Sequence, residues 1–316
     1  MTASQLRLTI QFTCLVLINA GLFGVAAIGM SFLPSGLAIP GLACHYFKHG
    51  VVDCFMYPLE YYLAGGWESW KYLVMVTVLV AIMSIVFGRL FCGWACPLGF
   101  IQDLISYARK YLHIAYLKLA PAINDLLTFR FRYAVLILLV LVVSISSIPF
   151  ISAEWRRNLD LPLCQVCPGK PLWLLLQGGL QILPPKAALD FSKLSLVMLG
   201  IFLAGAFSIR RFWCRFCPMG GLASLFKGVR MVSITKDTQK CTKCGLCARS
   251  CPVGVTEVYE QDEGGEVTSS RCVQCFHCIQ MCPEEGCLKA DFVGQTIYKS
   301  RAWWQRASAL PEKGLE

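Results

Sequence analysis

Most of the 18 cysteines of this 316-residue chain fall at short, ordered spacings. Two runs near the C-terminus are the densest: CTKCGLCARSCP holds Cys241, Cys244, Cys247 and Cys251, and CVQCFHCIQMCP holds Cys272, Cys275, Cys278 and Cys282. Both follow C-x2-C-x2-C-x3-C-P. Three thiolates at this spacing wrap one iron–sulfur cube, and the fourth reaches a neighbouring one. The pattern assigns Cys241, Cys244, Cys247 and Cys282 to one [4Fe–4S] cluster. It assigns Cys272, Cys275, Cys278 and Cys251 to a second. Pro252 and Pro283 stiffen each exit and remove a backbone donor.

The doubled run is the bacterial two-cluster ferredoxin pattern. A zinc ribbon is the alternative, but zinc sites use paired C-x2-C spacings, not two three-plus-one runs. His277, inside the second run, reads as a residue beside the cluster or on the surface. Cys287 is left over and reads as a plain thiol.

Two shorter motifs each hold half a site. RLFCGWACPLGF carries Cys92 and Cys96, and CRFCP carries Cys214 and Cys217. An iron–sulfur cube or a structural zinc wants four ligands, so two plus two closes the count for a third cluster. Arg89, Arg210, Arg211 and Arg215 stand beside these thiols and favour their ionised form. Two free or redox dithiols without metal are the competing reading. Four further thiols, Cys44, Cys54, Cys164 and Cys167, repeat the arithmetic elsewhere. They read as a fourth cluster, a disulfide or a dithiol relay. His45 and His49 flank Cys44 as metal ligands, proton acceptors or neither. Cys14 reads as a packing residue.

The elements that must position these thiols are apolar. The chain is 56% hydrophobic and 15% charged, with a mean hydropathy of +0.57, against about 25% charged residues in a soluble domain. Four segments approach the ~20 apolar residues a bilayer core needs: about 8–30, 72–88, 133–151 and 191–209. A cleaved signal peptide fits the first less well, because its apolar run is too long. Pro171 to Leu183 reads as re-entrant or interfacial. Phe100 to Ala120 reads as a helix on the inner surface.

Lys and Arg crowd the segments after spans two and four, which puts the Cys92 and Cys214 motifs and both termini in the cytoplasm by the positive-inside rule. The +10 formal charge has this topological explanation and does not point to nucleic acid. CPLGFIQDLI from Cys96 and CPMGGLASLF from Cys217 repeat each other after the even-numbered spans. The expected fold is therefore a membrane all-α four-helix transmembrane domain, two pseudo-repeats of two spans, followed by a small α+β two-cluster bacterial-ferredoxin domain. The expected boundaries are 1–230, 231–291 and a tail, 292–316, with Trp303 and Trp304 for a membrane surface or partner.

GRLFCGWACPLGFIQDLI, the second Cys-Pro motif and the two-cluster tail together resemble the NapH/MauN-type ferredoxin-like membrane proteins, related to the membrane ferredoxin halves of NosR-type and CcoG-type proteins. The resemblance runs from span one to Cys282. It implies four transmembrane helices in the cytoplasmic (inner) membrane, a cytoplasmic ferredoxin domain, and electron transfer linked to the quinone pool. It also implies redox partners, in a multisubunit electron-transfer complex or a periplasmic reductase that the protein feeds or helps to mature. The chain departs from the family pattern in having one C-x3-C-P and one C-x2-C-P inner motif, and in its outer cysteines. Electron transfer between the cytoplasmic clusters and a quinone or a redox centre on the opposite face is the leading expectation. A quinol dehydrogenase subunit and a maturation factor that reduces a metal or thiol are the alternatives. A ~30 Å hydrocarbon core is too thick for one fast tunnelling step, and no C-x-x-C-H haem motif is present.

Overall fold

The computed structural model describes residues 3–18, 46–47, 50–51, 56, 59–60, 63, 70–146, 163, 166–179, 193–226, 228 and 230–302. Apolar helices overlap all four expected spans: α1 (Ala3–Ile18), α2 (Trp70–Phe87), a run from Pro121 to Ser146, and α8 (Lys193–Ser208). Residues 19–30, 147–151 and 191–192 of those spans lie outside the described residues. Among the described residues one helical run, Ala122–Ile145, is long and apolar enough to cross a membrane. A second, Lys193–Ser208 with Trp213–Leu225, is bent by 98°. These helices carry apolar side chains outward: Val78 is 51% exposed and Leu138 61%. A helix that is apolar on every face needs an apolar medium around it.

Short elements follow α2: α3 (Leu90–Trp94), then α4 (Pro97–Tyr111). α4 ends nine residues before the surface helix expected to Ala120; Leu112 closes it, His113 has φ +56°, and the chain runs on without helix to Ala120. Beyond it, α5 (Pro121–Asp125) leads through a π-helical segment, Leu126–Phe131, into α6 (Arg132–Ser146). The third apolar helix thus begins well before residue 133. α7 (Gly169–Gly179) overlaps the segment expected to be re-entrant or interfacial and starts two residues before it. After α8, a 3-10 turn at Trp213–Arg215 precedes α9 (Pro218–Leu225).

The C-terminal part is a four-stranded antiparallel sheet. Strands Val232–Lys236, Gly265–Glu266, Leu288–Phe292 and Gln295–Lys299 stand with the first between the second and third, and the fourth beside the third. Val232, Ile234 and Lys236 alternate inward with Ser233 and Thr235 between them, the period of a half-buried strand. Ile234 pairs with Ala290, and both are fully buried. Gln295–Lys299 carries the sheet past residue 291. One apolar core joins Val80, Leu139, Leu199 and Phe202 to Cys167 and Cys217. The other joins the sheet to the ferredoxin thiols and extends to Cys92 and Cys214.

Candidate iron–sulfur centres

The two C-terminal runs fold alike. Lys243 and Gly245 have φ +52° and +71°; Gln274 and Phe276, at the matching positions, have +50° and +56°. Left-handed backbone is unfavourable for residues with a Cβ, by roughly 1–2 kcal/mol. At Lys243, Gln274 and Phe276 it curls the chain so that successive N–H groups form a concavity of the kind that holds anionic iron–sulfur groups. The thiols divide accordingly. Cys251, Cys272, Cys275 and Cys278 line one small space, walled by Ile234 and Phe276. Cys241, Cys244, Cys247 and Cys282 line a second. The fourth cysteine of each run thus stands with the first three of the other. Cys247 borders both spaces.

These donors fit a buried cluster. Burial pushes the Cys272 thiol up to about 12 and raises Cys251, although the backbone N–H groups of Val255, Val253 and Gly254 oppose it there. Such thiols give up their protons to a cation, not to water, so metal loading is coupled to proton release. Among the described residues no three His, Cys, Asp or Glu side chains converge on a single ion.

Cys96 and Cys217 occupy equivalent local positions. Each precedes a helix whose first residue is proline, with ψ near +120°. Proline is pre-organised for that first turn and its missing N–H is not needed there, so both thiols sit at a helix N-terminus. The two halves come together: Cys217 is electrostatically coupled to Cys92, Cys96 and Cys214. Burial raises the thiols of Cys214 and Cys217; Arg211 and Arg89 oppose it at Cys214.

Polar side chains stitch the halves together. Gln102 donates from Nε2 to Cys214 Sγ at 3.6 Å and accepts Trp213 N–H at 2.9 Å. Fully buried Arg211 donates to Cys92 O and Gly93 O, both at 3.2 Å, and to Asp103. Gln11 of α1 donates to Gly93 O at 3.0 Å and Asp103 Oδ2 at 3.1 Å. Arg7 completes the carboxylate's surroundings at 3.6 Å.

The ferredoxin runs dock on this assembly. The Arg89 N–H reaches Gln274 Oε1 at 2.7 Å, and its guanidinium reaches Ser270 O, Arg271 O and Cys214 O. Trp94 Nε1 donates to Gln274 O at 3.0 Å. A Cβ on Gly93 would lie 2.4 Å from Val273 O, so the loop between Cys272 and Cys275 rests on glycine backbone. Arg215, next to Cys214, donates to Pro252 O and Val253 O, just after Cys251, and to Asn124 of α5.

A family model described as a 4Fe-4S binding domain matches residues 70–114 and 192–232, the two Cys-Pro halves, and one described as a 4Fe-4S dicluster domain matches 233–283. The Escherichia coli ferredoxin-type protein NapH is 28% identical over 67% of this chain and 64% of its own length. The methylamine utilization ferredoxin-type protein MauN of Methylobacillus flagellatus is 25% identical over 60% of this chain and 58% of its own. The Methanocaldococcus jannaschii protein MJ0750 is 30% identical over 73% of this chain and 84% of its own. The chain belongs to the NapH/MauN-type ferredoxin proteins. It is an iron–sulfur electron-transfer protein of that type. No solved structure matches it.

Cys44, Cys54 and Cys164, with His45 and His49, lie outside the described residues. Cys167 is buried in the apolar core that includes Cys217 and against which Cys96 packs. It again precedes a Pro-led turn, and N–H groups of Gly169 and Lys170 point at its sulfur. A Cβ on Gly169 would touch both Cys167 Sγ, at 3.4 Å, and Leu98, at 3.5 Å. Leu163 N–H donates to buried Glu60 at 2.9 Å. Cys14 is half-buried in α1. Sequence reasoning missed Gln102, Asp103 and Gln274. The only signal for the first two was their place inside CPLGFIQDLI, where the second copy has Ala223 and Ser224.

Proposed function

We propose that this protein is a membrane-bound electron conduit with three contiguous cluster sites. Cys241, Cys244, Cys247 and Cys282 hold the first, Cys251, Cys272, Cys275 and Cys278 the second, and Cys92, Cys96, Cys214 and Cys217 the third. [4Fe–4S] clusters supply one-electron transfer when bound; the protein's part is to fix their spacing and exclude water. The observation that carries the reading is the docking of the Cys272–Cys275 loop on Gly93, beside Cys92, which makes the second and third sites neighbours. The match of a 4Fe-4S binding family to both Cys-Pro halves supports the third site.

Four helices cross the inner membrane in this reading, with the ferredoxin domain and both termini in the cytoplasm. Cys44, Cys54, Cys164 and Cys167 form a fourth centre towards the opposite face. The burial of Cys167 in one core with Cys217 supports a centre that dips into the membrane, shortening the crossing. Electrons exchange with the quinone pool or with a redox partner there. The relative YccM of Escherichia coli is described as a putative electron transport protein, in keeping with this role.

A quinol-oxidising role is favoured by one further observation. An amphipathic groove lined by Leu126, Phe129, Arg130, Glu257 and Arg271 lies between the π-helical segment and the loop that ends at Cys272. Iron and acid-labile sulfide analysis of anaerobically purified protein tests the conduit. Three clusters give about 12 iron atoms per chain and four give about 16. The double substitution Cys92→Ala, Cys214→Ala removes about four; unchanged iron in that variant refutes the third site. Quinol-dependent reduction of the clusters tests the quinone link, and its absence removes it.

A further inference from the structure

Cys287 is the thiol that the cluster assignments leave over, yet it does not stand apart from them. It is 2% exposed and lines the same space as Cys241, Cys244, Cys247 and Cys282. Its side chain shares one core with Cys282, and Cys241 packs against that core. Five sulfurs therefore face a site whose cluster takes four.

The backbone holds it there. Asp237 N–H donates to Cys287 O at 2.7 Å, and Cys287 Sγ donates to Asp237 O at 3.5 Å. The next residue, Leu288, pairs with Lys236 in the sheet. The position is thus fixed by the strand ladder, not by the loop that carries Cys282, and does not depend on that loop keeping its shape.

We propose that Cys287 is a reserve ligand of the first ferredoxin cluster site, placed to take over the iron of Cys282. In the exchange the Cys287 S–H bond breaks, its sulfur bonds to iron as thiolate, and the proton leaves to the displaced Cys282 thiolate or, where Cys282 is absent, to water. No electron is gained or lost. The inference rests on the reading of Cys241, Cys244, Cys247 and Cys282 as one ligand set.

The test is iron and acid-labile sulfide content, with the electron paramagnetic resonance of the reduced clusters, on the full chain purified anaerobically. Cys282→Ala and Cys287→Ala each keep the wild-type iron number, and the double variant loses about four iron atoms per chain. Loss of about four from Cys282→Ala alone overturns the proposal. Loss of none from the double variant instead overturns the ligand set itself. If Cys282→Ala does not accumulate, Cys241→Ala replaces it, since Cys287 lines one space with that residue too: retained iron supports the proposal, and loss of about four overturns it. Failure of both to accumulate while Cys278→Ala does, a position whose space Cys287 does not border, also counts against it.

Discussion

Arg211, three residues before Cys214, donates through Nε to Asp103 Oδ1 at 3.0 Å and through Nη2 to Asp103 Oδ2 at 2.5 Å. One residue belongs to the second Cys-Pro half and the other to the first, and both are buried. The pair is one of the links that tie the two halves, each with its two thiols, together. Breaking a buried pair from one side leaves an uncompensated charge, at about 3–5 kcal/mol. Asp103→Asn is expected to lose stability in that range in chemical denaturation of the detergent-solubilised protein. A loss under 1 kcal/mol contradicts the role given to the pair.

The same carboxylate sets an acid limit. Burial pushes the Asp103 carboxyl up, but Arg211, Arg7 and Gln11 together outweigh it and hold it below its ordinary value. A folded-state value below the unfolded one of about 3.9 contributes stability that is present above that pH. The contribution is lost as pH falls further, through the folded value. Stability of the wild type is expected to fall below about pH 4 more steeply than that of Asp103→Asn. Parallel acid titrations of the two proteins, followed by circular dichroism, decide it.

Gln102 tunes the third site if that site holds a cluster. Hydrogen bonds to cluster sulfurs help set reduction potentials, and a donor on Cys214 Sγ favours the more negative, reduced state. Gln102→Leu is expected to lower the potential by tens of mV, on the scale of ~1 kcal/mol for one electron. Gln102→Glu keeps an acceptor for Trp213 N–H and puts negative charge beside the sulfur, so it lowers the potential further. Redox titration monitored by electron paramagnetic resonance gives the order wild type, Leu, Glu; any other order is inconsistent with the bond.

Gly93→Ala separates docking from cluster assembly. A Cβ only 2.4 Å from Val273 O forces the loop away, and overpacking of this kind costs roughly 1–3 kcal/mol. Total iron is expected to stay at the wild-type number while amide exchange over Val273–Phe276 rises. Unchanged exchange there means that the loop does not rest on Gly93 in solution.

Cys164→Ala and Cys44→Ala are each expected to lose about four iron atoms per chain, the signature of a fourth centre that includes Cys167. Unchanged iron, together with protection of the same cysteines from alkylation until a reductant is added, points to a disulfide instead.

The cysteines announced most of the site because their spacing is local: each three-plus-one run and each Cys-Pro pair is complete within about a dozen residues of chain. The left-handed turns at Lys243 and Gln274 follow from wrapping those runs. The apolar helices were equally legible, since an all-round apolar stretch has few alternatives. What held the parts together was not. Gln102, Asp103 and Gln274 look like ordinary polar residues until the fold gives each a partner about 40 to 185 positions away. The π-helical segment at Leu126–Phe131 has no proline or glycine to mark it. The strand Gln295–Lys299 was hidden because it lies beyond the last ligand, in a stretch read as tail.

Arg211 reaches Cys92 O across 119 positions of chain, and Gln274 meets Arg89 across 185. During synthesis the first Cys-Pro motif therefore leaves the ribosome with Gln11 of α1 already made but without the partners that the later half and the ferredoxin runs supply. It acquires Arg211 and Cys214 only after α8 has been made, and the ferredoxin loop later still. Iron delivery to that site belongs at the end of biogenesis, after the helices have settled and not as each motif emerges.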